Sequence, residues 1–482
     1  MVIIMEIGKP NIHIFELYNE YYIYDVGTNG IISTSKELCL FLLRSLSEPD
    51  IKVPPELEEE LRYLLDLGYL KERNKDAVVF HAESSMLENL YKNNLKMIIL
   101  QVTQNCNLRC QYCVYSGSYV NRVHNNKRMS LETAKQAIAF LARNSGNSKD
   151  ISIGFYGGEP LLEFDLIKQV VSYAEDLFVG KKVSYSMTTN ATLLDVEKAR
   201  YMYENNFDIT VSLDGPKEAH DSNRIFASSN KGTFDKIMQN LEVIKNEIPE
   251  FIHKIGFNAV IDLKQNVSCS SDFFLNYDTV KGLNVTSNYI NDVSKKEEEQ
   301  INPELIAVSY YEIFKVYIYA CRKERFHQYK PTLYSSEMSS LKQMVVDRFV
   351  GKNVYAGRIT PGGQCLPGIQ RLFVKVDGTF LPCERLTEDS KDLWIGNLED
   401  GFHIENAKKI LNISKITEAE CSKCWCYKMC NQCVTKAGET GKIEKSSRLK
   451  WCEQTREGIE HLIKNYILLK HTGCSFEEGE VE

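Results

Sequence analysis

The sequence lacks the features by which nucleic-acid-binding and membrane proteins are usually recognised. Its 482 residues carry a formal net charge of -7, so there is no basic surplus to pair with a phosphate backbone. No apolar run reaches the length of a membrane span, and Met1–Met5 is followed too soon by Glu6 to form a signal peptide. We therefore expect a cytoplasmic protein with neither nucleic acid nor a membrane as partner, folded into about three domains.

Cysteine, by contrast, is abundant. Fifteen cysteines in a chain without an export signal indicate a reducing compartment and metal ligation rather than disulfides. Cys39, Cys269 and Cys474 match no motif, and Cys39 is expected to be a small core residue on its helix.

Cys106, Cys110 and Cys113 form a C-x3-C-x2-C cysteine loop (residues 106–113) directly after the apolar run Met97–Val102. That run is continuous and β-branched, as in a parallel strand buried on both faces, so the cysteines should lie on a βα loop. Three clustered thiolates can hold a [4Fe–4S] cluster and leave its fourth iron open to a small molecule. A zinc site short of one ligand, or chance, is the alternative at this point.

Further strand-like runs end in polar or glycine-rich segments. Gly157-Gly158-Glu159-Pro160 follows the run 151–156, Asn190 follows the run 183–187, and Ser212 lies near the end of the run 208–213, which Arg224 follows shortly after. Glycines let the backbone approach a ligand closely, and an arginine fork suits a carboxylate. Because the carboxyl ends of barrel strands meet at one end, these residues are candidates for a single ligand site.

The segment Cys106-Asn-Leu-Arg-Cys-Gln-Tyr-Cys113 together with the GGEP element resembles the radical S-adenosylmethionine (SAM) enzymes. The resemblance implies an α/β fold, a partial (β/α)6 TIM barrel over about 90–315, in which SAM chelates the open iron. In that family the GGEP element receives the amino group of SAM, strand-end residues receive its ribose hydroxyls, and an arginine receives its carboxylate. The cofactor-binding residues implied here are Tyr112, Gly157, Gly158, Glu159, Asn190, Ser212 and Arg224. For Asn190 and Ser212, an ordinary polar strand end is an equal alternative.

The C-terminal third contains a second cysteine array. It reads C-x12-G-x4-C from Cys365 through Gly378 to Cys383, then C-x2-C-x5-C-x2-C from Cys421 to Cys433, and then Cys452. This resembles the SPASM domain of radical SAM peptide-modifying enzymes, which binds two auxiliary [4Fe–4S] clusters. The usual block ends in C-x3-C and lacks the inner cysteine found here, and a zinc knot is the alternative for the paired cysteines.

By this resemblance the second auxiliary cluster has four cysteine ligands and the first has three. The second set is Cys421, Cys424, Cys430 and Cys452; the first is Cys365, Cys383 and Cys433. Relatives have a further cysteine shortly before the position of Cys365, where this chain has none. The first cluster is therefore expected to dock a substrate thiolate at an open iron, unless Cys426 or Cys321 closes it. Glu384 is the candidate catalytic proton acceptor, with a surface carboxylate as the alternative.

The front of the chain differs from the rest. Short strands are predicted at 12–15, 21–24 and 30–33, and two helices begin after Thr34-Ser35 and at Pro54-Pro55. This winged-helix-like module over about 1–85 resembles the recognition element of ribosomally synthesised and post-translationally modified peptides (RiPPs), which binds a leader peptide along an edge strand. A bare winged helix could bind DNA instead, but residues 1–73 are more acidic than basic.

The expected organisation is a recognition element over 1–85, a radical SAM core over 90–315, a helical bridge over 316–359 and a SPASM domain over 360–482. The segment 113–117 and the front module look most like thioether-forming maturases of cysteine-rich peptides, of the ranthipeptide, SCIFF or sactipeptide type. Such an enzyme would use SAM and three [4Fe–4S] clusters to form a sulfur-to-carbon link by way of a 5′-deoxyadenosyl radical. Its partners would be a cysteine-rich precursor peptide, bound through its leader, and an electron donor such as flavodoxin or ferredoxin.

Two other functions remain open. An anaerobic sulfatase-maturing enzyme, which forms formylglycine, shares the SAM and SPASM parts and uses an acidic residue next to a cluster cysteine, as Glu384 is here. A binding or scaffold protein with degenerate clusters is the other, and the intact cysteine loop and GGEP element argue against it.

Overall fold

The structure is a computed structural model that describes residues 9–48, 51–71, 78–119, 123–291, 293–296, 302–322, 333–350, 358–359, 364–474 and 476. Residues 1–8 of the predicted recognition element and residues 477–482 of the predicted SPASM domain lie outside the described residues. So does the loop 360–363, which precedes Cys365.

The front module is a three-stranded antiparallel sheet followed by two helices, as the sequence predicts. Its elements are β1 (Ile12–Leu17), β2 (Glu20–Asp25), β3 (Gly30–Thr34), α1 (Lys36–Ser47) and α2 (Glu58–Asp66). The Ser35 hydroxyl accepts from the backbone N–H of Leu38 at 3.2 Å and so caps α1. The buried face of α1 includes Cys39, which is 1% exposed and is the core residue expected. The sheet order is β1-β2-β3, so β3 is an edge strand.

A short connecting region leads from this module into the barrel. It contains β4 (Val78–Val79) and α3 (Leu87–Asn93).

Six parallel strands form the predicted partial (β/α)6 barrel. They and their helices are β5 (Met97–Thr103), α4 (Leu131–Asn144), β6 (Asp150–Gly157), α5 (Phe164–Leu177), β7 (Lys182–Thr189), α6 (Val196–Glu204), β8 (Phe207–Ser212), α7 (Lys217–Asp221), α8 (Phe234–Glu247), β9 (Ile255–Ile261), α9 (Val267–Asn276) and β10 (Val285–Tyr289). The strands lie in the order β10-β9-β8-β7-β6-β5. Nearly all of β5 is buried, which is why its sequence is a continuous apolar run.

Two helices and a strand-rich, cysteine-rich domain complete the chain. They comprise α10 (Pro303–Cys321), α11 (Ser335–Val350), β11 (Arg358–Ile359), β12 (Leu372–Val374), β13 (Thr379–Leu381), β14 (Gly396–Asn397), β15 (Gly401–Phe402), α12 (Ile404–Leu411), α13 (Glu418–Cys421), α14 (Val434–Ala437), α15 (Lys445–Lys450) and α16 (Cys452–His471). The helix α10 crosses the boundary placed at 315/316, because its apolar face packs on α9 as well as on α11.

The C-terminal domain continues the barrel sheet. The strand β12 pairs in parallel with β5, and β13, β14 and β15 follow as antiparallel neighbours. The strand that leads into the cysteine loop is therefore covered on both edges, by β6 and by β12. This pairing places the second cysteine array next to the barrel mouth.

A buried carboxylate of the C-terminal domain also binds both flanks of the cysteine loop. Glu388 is 3% exposed. Its Oε1 accepts from Gln101 Nε2 at 2.8 Å, its Oε2 accepts from Gln104 Nε2 at 2.8 Å, and the Tyr115 hydroxyl donates to it as well. Since Gln104 precedes the loop and Tyr115 follows it, the loop and the C-terminal domain are held in one arrangement.

The front module packs on the C-terminal domain. Residues of β1 and β2 share one hydrophobic core with the second cysteine array. The His13 ring stacks on Trp425 at 3.8 Å between centroids, and its Nε2 lies 2.8 Å from Glu460 Oε2. Lys428 Nζ donates to the carbonyl of Val26 at 2.6 Å. Within the described part of the chain, no helix combines the length and apolarity required to cross a bilayer.

Candidate active site

The turn after β6 packs directly on the start of the cysteine loop. The N–H of Gly158 donates to the carbonyl of Thr103, and that of Glu159 to the carbonyl of Asn105, both at 2.9 Å. A Cβ added at Gly157 would lie 2.0 Å from the Thr103 oxygen, and one at Gly158 would lie 2.1 Å from the Asn105 oxygen. The packing of the turn on the cysteine loop is therefore enough to require glycine at both positions. Contact between these glycines and SAM stays a prediction.

The far side of the loop is held by the segment 223–227. The N–H of Arg109 donates to the carbonyl of Ile225 at 2.8 Å, and that of Gln111 to the carbonyl of Asn223 at 3.0 Å. The backbone that carries the three thiols is therefore fixed by protein contacts on two sides.

Glu159 is an internal carboxylate. It is 1% exposed, and its oxygens accept from the Asn190 N–H at 2.8 Å, the Thr189 hydroxyl at 2.7 Å and the Leu161 N–H at 3.0 Å. Burial raises the pKa of this carboxyl above its ordinary value, against the opposing effect of these hydrogen bonds. These contacts join the end of β7 to the turn after β6, and a contact with the SAM amino group stays a prediction.

The predicted carboxylate-binding arginine has a protein carboxylate as its partner. Arg224 Nε and Nη2 donate to the two oxygens of Asp214 at 2.8 and 3.0 Å. The Tyr112 hydroxyl donates to the same carboxylate, and the guanidinium lies 5.3 Å from the centre of the Tyr112 ring. Burial alone would raise the pKa of Asp214, but Arg224 holds it below its ordinary value. The structure thus brings Tyr112 and Arg224 together beside Cys110.

Asn190 and Ser212 lie at the carboxyl ends of neighbouring strands. Asn190 Nδ2 donates to Asn107 Oδ1 at 2.9 Å and lies 3.9 Å from the Cys106 sulfur. Ser212 is the last residue of β8 and is partly exposed. Both residues lie at the same end of the barrel as the cysteine loop. Their contacts with the ribose of SAM stay predictions.

The cysteine loop fits a multi-iron group. Its three cysteines form no disulfide with a described residue and lie on one fixed stretch of backbone, and soft thiolates are the donors that such clusters require. Burial raises the pKa of Cys106 to about 12 and that of Cys110 to about 11, so a bound cation is needed to favour their thiolate forms. In the described residues, no three His, Cys, Asp or Glu side chains converge on a point suited to a single metal ion.

A chamber of about 900 Å³ lies between the barrel mouth and the C-terminal domain. The barrel contributes Tyr156, Thr188, Thr210 and Asn258; the C-terminal domain contributes Arg371, Glu384, Thr435 and Trp451. Arg371 Nη1 donates to Glu384 Oε1 at 2.6 Å and so fixes the predicted catalytic carboxylate in this wall.

The three cysteines predicted to hold the first auxiliary cluster lie behind the same wall. Cys365, Cys383 and Cys433 lie near enough to influence one another electrostatically. Burial, followed by the charge of Glu384, raises the pKa of Cys383 to about 12. The Cys433 sulfur lies 3.0 Å from the hydroxyl of Thr435, which lines the chamber.

The cysteines predicted to hold the second auxiliary cluster surround a separate cavity of about 260 Å³. Five cysteines line it: Cys421, Cys424, Cys426, Cys430 and Cys452. The sulfurs of Cys424 and Cys426 are 3.5 Å apart, and this hydrogen bond lowers the pKa of Cys424 below its ordinary value. Cys426 therefore lies in the second set. A ring of thiols around an open space suits a group larger than one ion.

Sequence reasoning did not anticipate Arg371 or Glu388. Glu388 contacts Gln101 across 287 residues of chain, Arg371 contacts Glu384 across 13, and no spacing rule connects either pair. The one available signal was local: Glu388 lies shortly after Cys383, and Arg371 directly precedes β12.

Comparison with known proteins agrees with this geometry. Residues 100–267 match the family model of the Radical SAM superfamily, a range that contains the cysteine loop and the GGEP turn. This segment has the radical SAM fold. Over a longer stretch of 351 residues, the chain is 25% identical to a cysteine-type anaerobic sulfatase-maturating enzyme of Clostridium novyi. The alignment covers 70% of this chain and 87% of that protein.

Two solved structures match over a similar extent. The structure titled native anSMEcpe with bound AdoMet has a TM-score of 0.58 and 20% identity, covering 77% of this chain and 98% of that one. A second, of the same protein with AdoMet and the Cp18Cys peptide, has a TM-score of 0.57 and 21% identity, covering 77% and 99%. These likenesses extend beyond the radical SAM domain and agree with the fold described above.

Gly157→Ala tests the contact between the β6 turn and the cysteine loop. We expect at least tenfold weaker SAM binding and an altered electron paramagnetic resonance (EPR) spectrum of the loop cluster. The added Cβ meets the Thr103 carbonyl, and a φ of +141° costs an L residue about 1–3 kcal/mol. Gly458→Ala in α16, where nothing lies within 4 Å of the new Cβ, is the matched control. Unchanged SAM affinity and spectrum in Gly157→Ala would contradict the contact's importance.

Proposed function

We propose that the chain is a radical SAM peptide maturase that links a cysteine sulfur to a carbon atom within a ribosomally made, cysteine-rich precursor. The observation that carries the proposal is the position of Cys365, Cys383, Cys433 and Glu384. These residues lie in or directly behind the wall of the chamber onto which the barrel strands open. A substrate in that chamber would reach both the radical source and a set of three thiols to which the sequence resemblance assigns no fourth ligand.

The cofactor sites divide the work. Cys106, Cys110 and Cys113 would hold the radical SAM cluster, with SAM bound by the turn after β6 and the ends of β7 and β8. When bound, this pair supplies a 5′-deoxyadenosyl radical that takes a hydrogen atom from the substrate. Cys365, Cys383 and Cys433 would hold the first auxiliary cluster, and Cys421, Cys424, Cys430 and Cys452 the second.

The chain's own residues position the substrate and accept its proton. Thioether formation removes a hydrogen atom from carbon, a proton from sulfur and one further electron. Arg371 holds the Glu384 carboxylate in the chamber wall at 2.6 Å, where it can accept the proton. A peptide bound between the chamber walls would limit the access of water to the reacting carbon.

The front module is proposed to bind the leader of the precursor. Its strand β3 pairs only with β2 among the described residues, so one edge is open to an added strand. A depression that crosses all three strands and reaches β3 is lined by Glu16, Tyr21, Thr34 and Lys36. Because the module packs on the C-terminal domain, a leader bound there would tether the core peptide close to the chamber. A cytoplasmic flavodoxin or ferredoxin would supply electrons.

Formylglycine formation on a sulfatase is the second candidate. The relatives with the widest coverage reported above are sulfatase-maturating enzymes, and Glu384 directly follows Cys383. This candidate shares the chamber and the proton acceptor, so the product is what separates the two reactions.

The product decides between them. Incubation of the enzyme with SAM, reductant and its cognate cysteine-rich precursor peptide should give a product that lacks two hydrogens per link. The linked cysteine should resist iodoacetamide. Glu384→Gln should lower the rate about 10²- to 10⁴-fold, the range for a lost general base, while the exposed Glu399→Gln should not. Formation of formylglycine from a sulfatase peptide, with every thiol of the precursor left free, would assign the second function.

Leader binding can be tested with the whole chain. Deleting the module would expose the core that it shares with the C-terminal domain, so proline substitutions at Ile32 and at Ser33 are preferable. In an antiparallel ladder neighbouring N–H groups point to opposite edges, so one of these prolines removes an outward donor and leaves the pairing with β2 intact. That variant, recognised by an unchanged thermal midpoint, should bind a fluorescein-labelled leader at least tenfold more weakly. Wild-type anisotropy curves for both variants would exclude β3 as the docking edge.

A further inference from the structure

The side chain of Arg448 is a buried cation without a carboxylate partner. It lies on α15 and is 1% exposed. Its Nε donates to the hydroxyl of Thr417 at 3.2 Å, and its Nη1 donates to the carbonyl of Gln432 at 3.3 Å. Within the described ranges no aspartate or glutamate forms an ion pair with it. Burying a charge without a counter-charge is strongly unfavourable, so this position requires an anion.

The cavity that Arg448 faces is the one lined by the second cysteine set. Arg456 lines it as well, one helical turn after Cys452, and it too has no ion pair with a described residue. The only carboxylate in the lining belongs to Glu420, whose Oε1 already lies 2.7 Å from Lys445 Nζ. The protein thus presents two guanidinium groups to the cavity and leaves the balancing negative charge to its contents.

The neighbours of Arg448 also contact cysteines of this set. The Thr417 hydroxyl lies 3.1 Å from the Cys421 sulfur, and Gln432 Nε2 lies 3.8 Å from the Cys452 sulfur. The same two residues that orient the guanidinium therefore also contact two of the proposed ligands. The position of the Arg448 side chain is therefore coupled to the positions of these ligands.

We propose that Arg448, with Arg456, is the counter-charge of the second auxiliary cluster and raises its reduction potential. The inference rests on the proposed ligand set. Four thiolates around an oxidised [4Fe–4S] core give a net charge of about -2, which two guanidinium groups balance. Reduction by one electron makes the cluster more negative, and a fixed cation stabilises the reduced form more than the oxidised form. Arg448 is thus a tuning residue that sets how readily this cluster accepts an electron.

The test is an EPR-monitored redox titration of the reconstituted full-length chain. Cys106, Cys110 and Cys113 are replaced by alanine in every sample, so that only auxiliary clusters contribute. Arg448→Met should shift the midpoint of the second cluster to a more negative potential, and Arg448→Lys, which keeps the charge, should shift it much less. Lys442→Met, which removes an exposed cation elsewhere in the same domain, should leave it unchanged.

Iron and sulfide content distinguishes failure of the counter-charge proposal from failure of the proposed ligand set. Full cluster content with an unchanged midpoint in both Arg448→Met and Arg456→Met would overturn the counter-charge proposal alone. Absence of the second cluster from the parent protein would overturn the proposed ligand set and this inference with it. Loss of the cluster from Arg448→Met but not from Arg448→Lys would support the counter-charge. The shift in midpoint potential would then be measured in Arg456→Met, because Arg456 is only half-buried.

Discussion

The rest of the structure depends on the fixed position of the cysteine loop. Its backbone is held on one side by the GGEP turn, through contacts that admit no side chain at Gly157 or Gly158, and on the other by the segment 223–227. Glu388 adds a buried carboxylate that binds residues on both flanks. A cluster on this loop would therefore have one position relative to the strand ends, which is what a reaction by a short-lived radical requires.

The pairing of β12 with β5 brings the barrel and the C-terminal domain together around one chamber. Because β12 adds to the barrel sheet beside β5, the C-terminal domain forms the second wall of the chamber instead of a separate appendage. The front module in turn packs on the second cysteine array through His13 and Trp425. Leader binding, radical generation and electron removal would thus occur within one connected body, and Arg448 would favour electron acceptance at the cluster nearest the front module.

Local features of this arrangement could be predicted from sequence, and long-range ones could not. The strand before Cys106, the turn at Gly157 and the helix start at Ser35 follow from apolar runs, glycines and caps that act within a few residues. The division of the C-terminal cysteines into two ligand sets stays a prediction, and Cys426, a candidate to close the first set, lines the cavity of the second. The continuation of the sheet by β12 and the buried positions of Glu388 and Arg448 depend on tertiary packing between distant segments. Arg224 shows the limit most clearly, since its fork was assigned to a ligand carboxylate and also matches Asp214 within the protein.

The central claim is that Cys106, Cys110 and Cys113 hold the cluster that cleaves SAM. The most direct measurement is 5′-deoxyadenosine formation under dithionite by the wild type and by the variant in which all three cysteines are alanine. The account predicts that the wild type forms it and that the triple variant does not, while the variant keeps the iron of its auxiliary sites. SAM cleavage by the triple variant would contradict the account.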